Sequence, residues 1–193
     1  AMAAAASAGE PSGMAALIGA DLAQAEAIAA ERRSDGGRLW VANVNAPAQI
    51  VLAGGEVDIE WLGSNARSLG VRRAIQLSVA GAFHTPFQPP AAERLEAALD
   101  HAAFAEPAFP VYANSTARPV EDPARQLAEQ LVQPVRFAQT LEHMAGDGIT
   151  TFVHVGPGDV TAGLVKRTLP DATVYVVSDL EGVATVATTL SIQ

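Results

Sequence analysis

The chain has 193 residues, of which 49% are apolar, so it can bury a substantial core and form one or two small domains. Its formal net charge of −9 and the lack of a basic stripe argue against nucleic-acid binding, and no apolar run is long enough for a membrane span. The chain has no cysteine, which excludes disulfides and thiolate chemistry and is compatible with a reducing, cytoplasmic location.

The first 80 residues predict a regular alternation of strands and helices. Residues 1–12 are rich in alanine and are typical of the tail of a helix that begins elsewhere. The elements that follow are strand 13–19, helix 22–33 capped by Asp21, strands 39–45 and 49–55, helix 56–69 and strand 71–79. This β-α-β-β-α-β order predicts a ferredoxin-like unit.

The rest of the chain predicts an α/β arrangement, so the fold class is α/β (α+β). Apolar spacing and Pro or Gly boundaries predict helices at 89–103, 123–132 and 136–147, strands at 109–114, 150–156 and 173–177, and a turn and helix at 156–169. Because strands alternate with helices here, we expect a parallel layer. With so few strands that layer is expected to be incomplete, its remainder preceding residue 1.

The stretch "LSVAGAFHTPFQPPAAERLEAAL" places His84 between an apolar strand and a helix start. Loops at strand ends commonly carry the chemistry of α/β proteins, although a lone histidine is also common as a hydrogen-bonded packing residue. The four histidines have no metal-binding spacing, and no Gly-x-Ser-x-Gly elbow, P-loop or dinucleotide fingerprint is present, so no metal or cofactor is predicted. The sequence therefore contains a candidate base, His84, but no candidate nucleophile for it to activate.

Five segments resemble one enzyme family in order and approximate spacing. They are "EPSGMAALIGAD", "ANVNAPAQIVLAGG", "VAGAFHTPF", "EQLVQPVRF" and "VGPGDVTAGLVKR". Together they resemble the malonyl-CoA:acyl carrier protein transacylases and the related acyltransferase domains of polyketide synthases. The resemblance implies a ferredoxin-like small subdomain at 13–80 and the C-terminal part of an α/β-hydrolase-like large subdomain at 81–193, with 1–12 as a helix tail of the large one.

The resemblance also implies roles for individual residues. His84 matches the catalytic base, and Gln130 matches the residue whose backbone carbonyl orients it, although Gln130 can equally be a helix-end glutamine. Ala82 keeps the wall beside the histidine thin, and Phe83 matches the form selective for malonyl groups. Three polar residues resemble the pocket side of the small subdomain, with turn formation beside Pro47 as an equal alternative for the asparagines: Asn43, Asn45 and Gln49.

The implied function is malonyl transfer from malonyl-CoA to the phosphopantetheine thiol of an acyl carrier protein through a seryl intermediate. The family's nucleophilic serine would precede this sequence, so the chain is expected to need a missing N-terminal segment and to be inactive alone. Two alternatives stay open, namely a non-catalytic partner-binding module and an acyltransferase domain of a larger synthase. The sequence does not decide between fatty acid and polyketide synthesis.

Overall fold

The computed structural model describes residues 10–87 and 89–191. The chain divides into two compact units, Ala1–Thr140 and Leu141–Gln193. The predicted helix tail at 1–12 falls mainly outside the described residues, and the first strand already begins at Ser12. The subdomain boundary predicted near residue 80 stays a prediction.

The first unit contains a four-stranded sheet with two helices in the predicted β-α-β-β-α-β order. The elements are β1 (Ser12–Ile18), α1 (Leu22–Ser34), β2 (Leu39–Ala46), β3 (Gln49–Gly55), α2 (Glu56–Asn65) and β4 (Arg73–Gln76). The strands lie in the order β2-β3-β1-β4, and every neighbouring pair is antiparallel. The antiparallel pair predicted from 39–45 and 49–55 is therefore confirmed.

Two predicted elements are shorter in the structure. Helix α2 ends at Asn65 rather than at residue 69, because the chain turns there and Gly70 adopts a φ of +74° that favours glycine. Strand β4 covers Arg73–Gln76 rather than 71–79. It stops there because the amide of Val79 donates to the carbonyl of Leu77, which turns the chain away from β1.

The sheet buries side chains on both faces. Helices α1 and α2 cover one face, where the large side chains that are almost fully buried include Leu17, Leu39, Ile50, Leu52, Ile59 and Leu62. A second cluster contains Met14, Ala42, Val51, Ala53 and Ala82, with Phe83 and Phe87 packed against it. Because successive residues of a strand point to opposite faces, Leu52 and Val51 contribute to different clusters. Residues of the loop that carries His84 thus pack on the face opposite the helices.

The remainder of the first unit is less regular than the sequence predicts. Helices α3 (Pro89–Leu99) and α4 (Pro123–Glu129) are present, and α5 (Phe137–Gly146) runs past the end of the unit. The predicted strand 109–114 is reduced to β5 (Tyr112–Ala113), which forms a short hairpin with β6 (Arg118–Pro119). Pro110 removes one backbone donor, which disfavours a longer strand.

The second unit contains β7 (Thr151–Val155), α6 (Val160–Thr168), β8 (Thr173–Val177) and α7 (Leu180–Ser191). Strands β7 and β8 are parallel, with α6 as the connection, as the alternating pattern predicts. Helix α7 was not predicted, although Asp179 accepts a hydrogen bond from the amide of Gly182 and provides a start signal. Among the described helices, none is both long and apolar enough to cross a membrane.

Asp58 is a buried carboxylate, and its removal tests how much its hydrogen bonds stabilise the first unit. Its Oδ1 accepts from Nε of Arg32 at 2.7 Å, and its Oδ2 accepts from the backbone amide of Arg38 at 2.9 Å. Asp58→Ala leaves both donors without this acceptor and should lower the free energy of unfolding by about 2–3 kcal/mol. Urea denaturation followed by the fluorescence of Trp40 and Trp61, both in this unit, measures the change.

Asp58→Asn is the matched control, because it keeps the size of the side chain and one acceptor oxygen. We expect a smaller loss of stability than for Asp58→Ala. Equal stability of Asp58→Ala and the parent chain would contradict the structural role assigned to this carboxylate.

Candidate functional site

The loop 81–87 is fixed to the sheet by hydrogen bonds of small hydroxyl side chains. The backbone amide of Ala82 donates to Oγ of Ser12 at 3.2 Å. Oγ1 of Thr85 donates to the carbonyl of Ala82 at 2.8 Å and accepts from the amide of Phe87 at 3.3 Å. Thr85 is completely buried, so its hydroxyl serves the loop and not the solvent. The backbone around His84 is therefore held on both sides.

His84 adopts an unusual backbone conformation and makes a specific ring contact. Its φ of +58° lies in the left-handed region, which costs an L-residue about 1 kcal/mol. Nδ1 of the half-buried ring donates to the backbone carbonyl of Gln130, with 2.8 Å between the two atoms. Because a carbonyl only accepts, the neutral ring carries its proton on Nδ1 and leaves the lone pair of Nε2 available. The ring is thus held in one orientation.

Gln130 follows directly after α4, whose two ends are both anchored. Oε1 of the buried Gln126 accepts from the amides of Glu121 and Asp122 at 3.1 and 3.3 Å, which holds the segment before the helix. At the other end, Nε2 of Gln130 donates to the carbonyl of Gln133 at 3.1 Å. The side chain of Gln130 is therefore engaged locally, while its main-chain carbonyl is directed to the histidine.

Ala82 and Phe83 lie against the second face of the sheet and directly precede His84 in the loop. Ala82 is fully buried in the cluster with Met14 and Val51, and the half-buried Phe83 packs on that cluster. Their predicted roles at the acyl pocket stay predictions.

The strand geometry assigns a face of the sheet to two of the three polar residues predicted at the pocket. Asn43 pairs with Val51, and residues directly opposite in a sheet share a face, so Asn43 faces the side on which Phe83 packs. Gln49 lies two residues before Val51 on β3 and shares this face. Asn45 falls in a register shift of β2 between Val44 and Ala46, so alternation does not fix its face.

Sequence reasoning missed three residues that position the site. Ser12 and Thr85 hold the loop, and Val135 joins the segment after Gln130 to the edge of β2. The amide of Val135 donates to the carbonyl of Ala42 at 2.8 Å, and its carbonyl accepts from the amide of Val44 at 2.8 Å. A threonine next to a proline is a turn signal that could have indicated Thr85, whereas the contacts of Ser12 and Val135 are purely tertiary.

The site presents an oriented imidazole whose partner is a backbone carbonyl. Over residues 10–87 and 89–191, no group of three His, Asp or Glu side chains is arranged to hold a metal ion. The histidine instead has a neutral carbonyl as its partner, an arrangement that fixes one tautomer without adding a negative charge. The chain is therefore a mixed α/β protein with an oriented histidine on a loop of unusual backbone conformation.

Comparison with known proteins shows which proteins this chain resembles. The chain is 35% identical over 180 residues to the malonyl CoA-acyl carrier protein transacylase of Bacillus subtilis (strain 168), covering 92% of the chain and 57% of that protein. It superposes on the acyl-carrier-protein-S-malonyltransferase of Bartonella henselae with a TM-score of 0.91 and 31% identity, covering 98% of the chain and 61% of that structure. No protein-family model matches the chain.

The chain also superposes on a malonyl-transacylase that was solved in complex with its type II polyketide synthase acyl carrier protein. The TM-score is 0.88 and the identity is 28%, and the match covers 95% of the chain and 60% of that protein. The resemblance predicted from the sequence is therefore confirmed: the chain is a homologue of the malonyl CoA-acyl carrier protein transacylases. It spans somewhat more than half the length of the relatives it matches.

The hydroxyl of Thr85 provides a test of the loop. Thr85→Val keeps the shape of the side chain but leaves the amide of Phe87 without this acceptor, which should destabilise the loop by about 1–2 kcal/mol. The amide of Phe87 should then exchange with deuterium roughly tenfold faster than in the parent chain. Thr85→Ser retains the hydroxyl and should exchange at close to the parent rate; equal exchange in all three chains would show that Thr85 does not hold the loop.

Proposed function

We propose that this chain supplies the catalytic base and part of the acyl pocket of a malonyl-CoA:acyl carrier protein transacylase. The observation that carries the proposal is the hydrogen bond between Nδ1 of His84 and the carbonyl of Gln130, which leaves Nε2 free to take a proton. The homology over about nine-tenths of the chain supports the choice of substrates. The nucleophilic serine of such an enzyme would lie in a segment outside these 193 residues.

In the first half-reaction, Nε2 of His84 would take the proton of the serine hydroxyl as the serine oxygen attacks the thioester carbonyl of malonyl-CoA. The tetrahedral intermediate then collapses, the carbon–sulfur bond breaks, and the coenzyme A thiolate leaves with the proton from the imidazolium. The products are a malonyl-seryl ester and free coenzyme A, and the histidine is neutral again.

The second half-reaction reverses these roles. His84 would take the proton of the phosphopantetheine thiol of the carrier protein as its sulfur attacks the seryl ester. The ester bond to serine breaks, and the serine oxygen receives the proton from the imidazolium. One base therefore serves both steps, which requires a ring that keeps one orientation throughout the cycle.

The carbonyl of Gln130 is suited to this task because it accepts the Nδ1 proton of the ring. It thereby holds one tautomer, and the contact selects Nε2 as the reacting atom.

The whole protein would contain two subdomains. We assign residues 13–80 to a ferredoxin-like subdomain, which the observed element order and antiparallel sheet support. Residues 81–193 would complete an α/β-hydrolase-like subdomain together with an N-terminal segment that carries the serine. The cytoplasmic location rests on the absence of cysteine and stays a prediction.

Substitution of His84 tests its proposed role as the general base. In the complete protein that contains this chain, His84→Ala should lower the rate of malonyl transfer by a factor of about 10²–10⁴, the usual contribution of a general base. The measurement is steady-state transfer of labelled malonyl groups from malonyl-CoA to carrier protein. Turnover close to that of the parent protein would contradict the assignment.

Gln130→Ala is the matched control, because the contact with His84 uses the main-chain carbonyl and the substitution removes only the side chain. We expect transfer by this variant to stay within a few-fold of the parent protein, since the ring keeps its acceptor. A loss as large as that of His84→Ala would assign the effect to the glutamine side chain instead.

Phe83 provides a test of acyl choice. Phe83→Ser should open space beside the base and relax discrimination against methylmalonyl-CoA by about 1–3 kcal/mol, the range for one extra methylene in an apolar pocket. The measurement is the ratio of kcat/KM for methylmalonyl-CoA to that for malonyl-CoA, in the variant and in the parent. An unchanged ratio would show that Phe83 serves packing alone.

A further inference from the structure

The ring of Phe87 lies at the end of the His84 loop and makes two directed contacts. Its centroid is 5.6 Å from that of Trp40, and the two ring planes are at 81°, an edge-to-face arrangement. The guanidinium carbon of Arg38 lies 4.1 Å from the centre of the Phe87 ring, within the range of a cation–π contact. Phe87 is half-buried and also packs on the cluster that contains Ala82. Its side chain thus attaches the end of the loop to the sheet.

The two residues that contact the Phe87 ring are fixed by the start of β2. Trp40 is paired with β3 in the antiparallel sheet. The backbone amide of Arg38 donates to Oδ2 of Asp58 at 2.9 Å, and its carbonyl accepts from the amide of Gly55 at 3.0 Å. Trp40 and Arg38, the clamp of Phe87, are therefore held by main-chain hydrogen bonds of the sheet and its edge.

Strand β2 also carries the segment that follows Gln130. The amide of Val135 donates to the carbonyl of Ala42 at 2.8 Å, and its carbonyl accepts from the amide of Val44 at 2.8 Å. Trp40 lies two residues before Ala42, which is about 7 Å along an extended strand. The loop and the acceptor of its histidine ring are thus attached to one short stretch of β2.

The shared attachment to β2 sets the position of the ring relative to its acceptor. Phe87 follows His84 by three positions, and Val135 follows Gln130 by five, so both links to the strand are short. The hydroxyl of Thr85 bonds only to atoms of the loop, so it shapes the loop without placing it on β2. Because a hydrogen bond weakens steeply with distance and angle, a shift of Phe87 against β2 would disturb the contact of the ring.

We propose that Phe87 is a positioning residue for the base, an inference that rests on the proposed role of His84. The clamp holds the Phe87 ring on β2, so that Nδ1 of His84 stays within reach of the carbonyl of Gln130. Without the ring contacts the imidazole can turn away from this acceptor and take up both neutral tautomers, of which only one leaves Nε2 free. A smaller fraction of molecules is then competent, which lowers kcat and leaves substrate binding unchanged.

The direct test is ¹⁵N NMR spectroscopy of the histidine rings in the complete protein that contains this chain, at about pH 8.5, where imidazole is neutral. His84→Ala assigns the signals of His84, and in the parent protein we expect its proton on Nδ1. Phe87→Leu keeps an apolar side chain but removes the ring, and the signals should move toward the average of two tautomers. Phe109→Leu makes the same change at a phenylalanine that is 73% exposed and should leave the signals unchanged.

The rate of malonyl transfer gives a second readout. Phe87→Leu should lower kcat about tenfold while KM for malonyl-CoA stays within about twofold, and Phe109→Leu should match the parent protein. Trp40→Leu removes the other ring of the edge-to-face contact and should lower kcat by a similar factor. The double variant of Trp40 and Phe87 should lose little more than either single variant, because both changes remove one shared contact. Thermal unfolding checks that each variant folds.

The exposed side chain of Arg38 provides a milder variant for the case in which loss of a ring unfolds the protein. Arg38→Gln removes the cation from the Phe87 ring, and kcat should fall about two- to threefold. Glu10→Gln breaks the ion pair between Glu10 and Arg38 but leaves the guanidinium group over the ring, so kcat should equal that of the parent protein.

Unchanged His84 signals in Phe87→Leu would overturn the proposal, and so would equal losses of kcat in Phe87→Leu and Phe109→Leu. A raised KM with an unchanged kcat would also overturn it, because Phe87 would then serve substrate binding. If Phe87→Leu does not fold, equal kcat values of Arg38→Gln and Glu10→Gln have the same meaning. The proposed function fails separately, if His84→Ala retains turnover, and the ¹⁵N signals then still report whether Phe87 orients the ring.

Discussion

The hydrogen bond between the ring of His84 and the carbonyl of Gln130 is the contact on which the proposed chemistry depends. It joins two residues that are 46 positions apart in the sequence, over a distance of 2.8 Å. A histidine acts as an efficient base only when its tautomer and orientation are fixed, and this contact fixes both. The surrounding structure holds the two partners in place.

One partner is held by the loop and the other by a short helix. Thr85 and Ser12 secure the backbone beside His84, which keeps a φ of +58° that an unconstrained loop would avoid. On the other side, Gln126 holds the start of α4 and Val135 pairs with the edge of β2. The hydrogen bonds at the loop and at α4 thus have a common effect, because each set restricts the motion of the ring relative to its acceptor.

The sheet supports the proposed site on the face opposite α1 and α2. That face receives Ala82 and Phe83, so apolar packing shapes it beside His84. Strand β1 lies inside the sheet with neighbours on both sides, and its first residue, Ser12, accepts the hydrogen bond that holds the loop.

The sequence by itself determined the element order of the first 80 residues, because the apolar periodicity, the cap at Asp21 and the stop at Gly70 are local signals. It also determined the family resemblance and identified His84 as the notable loop residue. Only the tertiary structure decided the shortening of β4, the two-residue strand β5, and the positions of Ser12, Thr85 and Val135. Helix α7 was missed although its start signal at Asp179 is local. The contact between His84 and Gln130 needs long-range packing, since no local pattern specifies which carbonyl a ring nitrogen will meet.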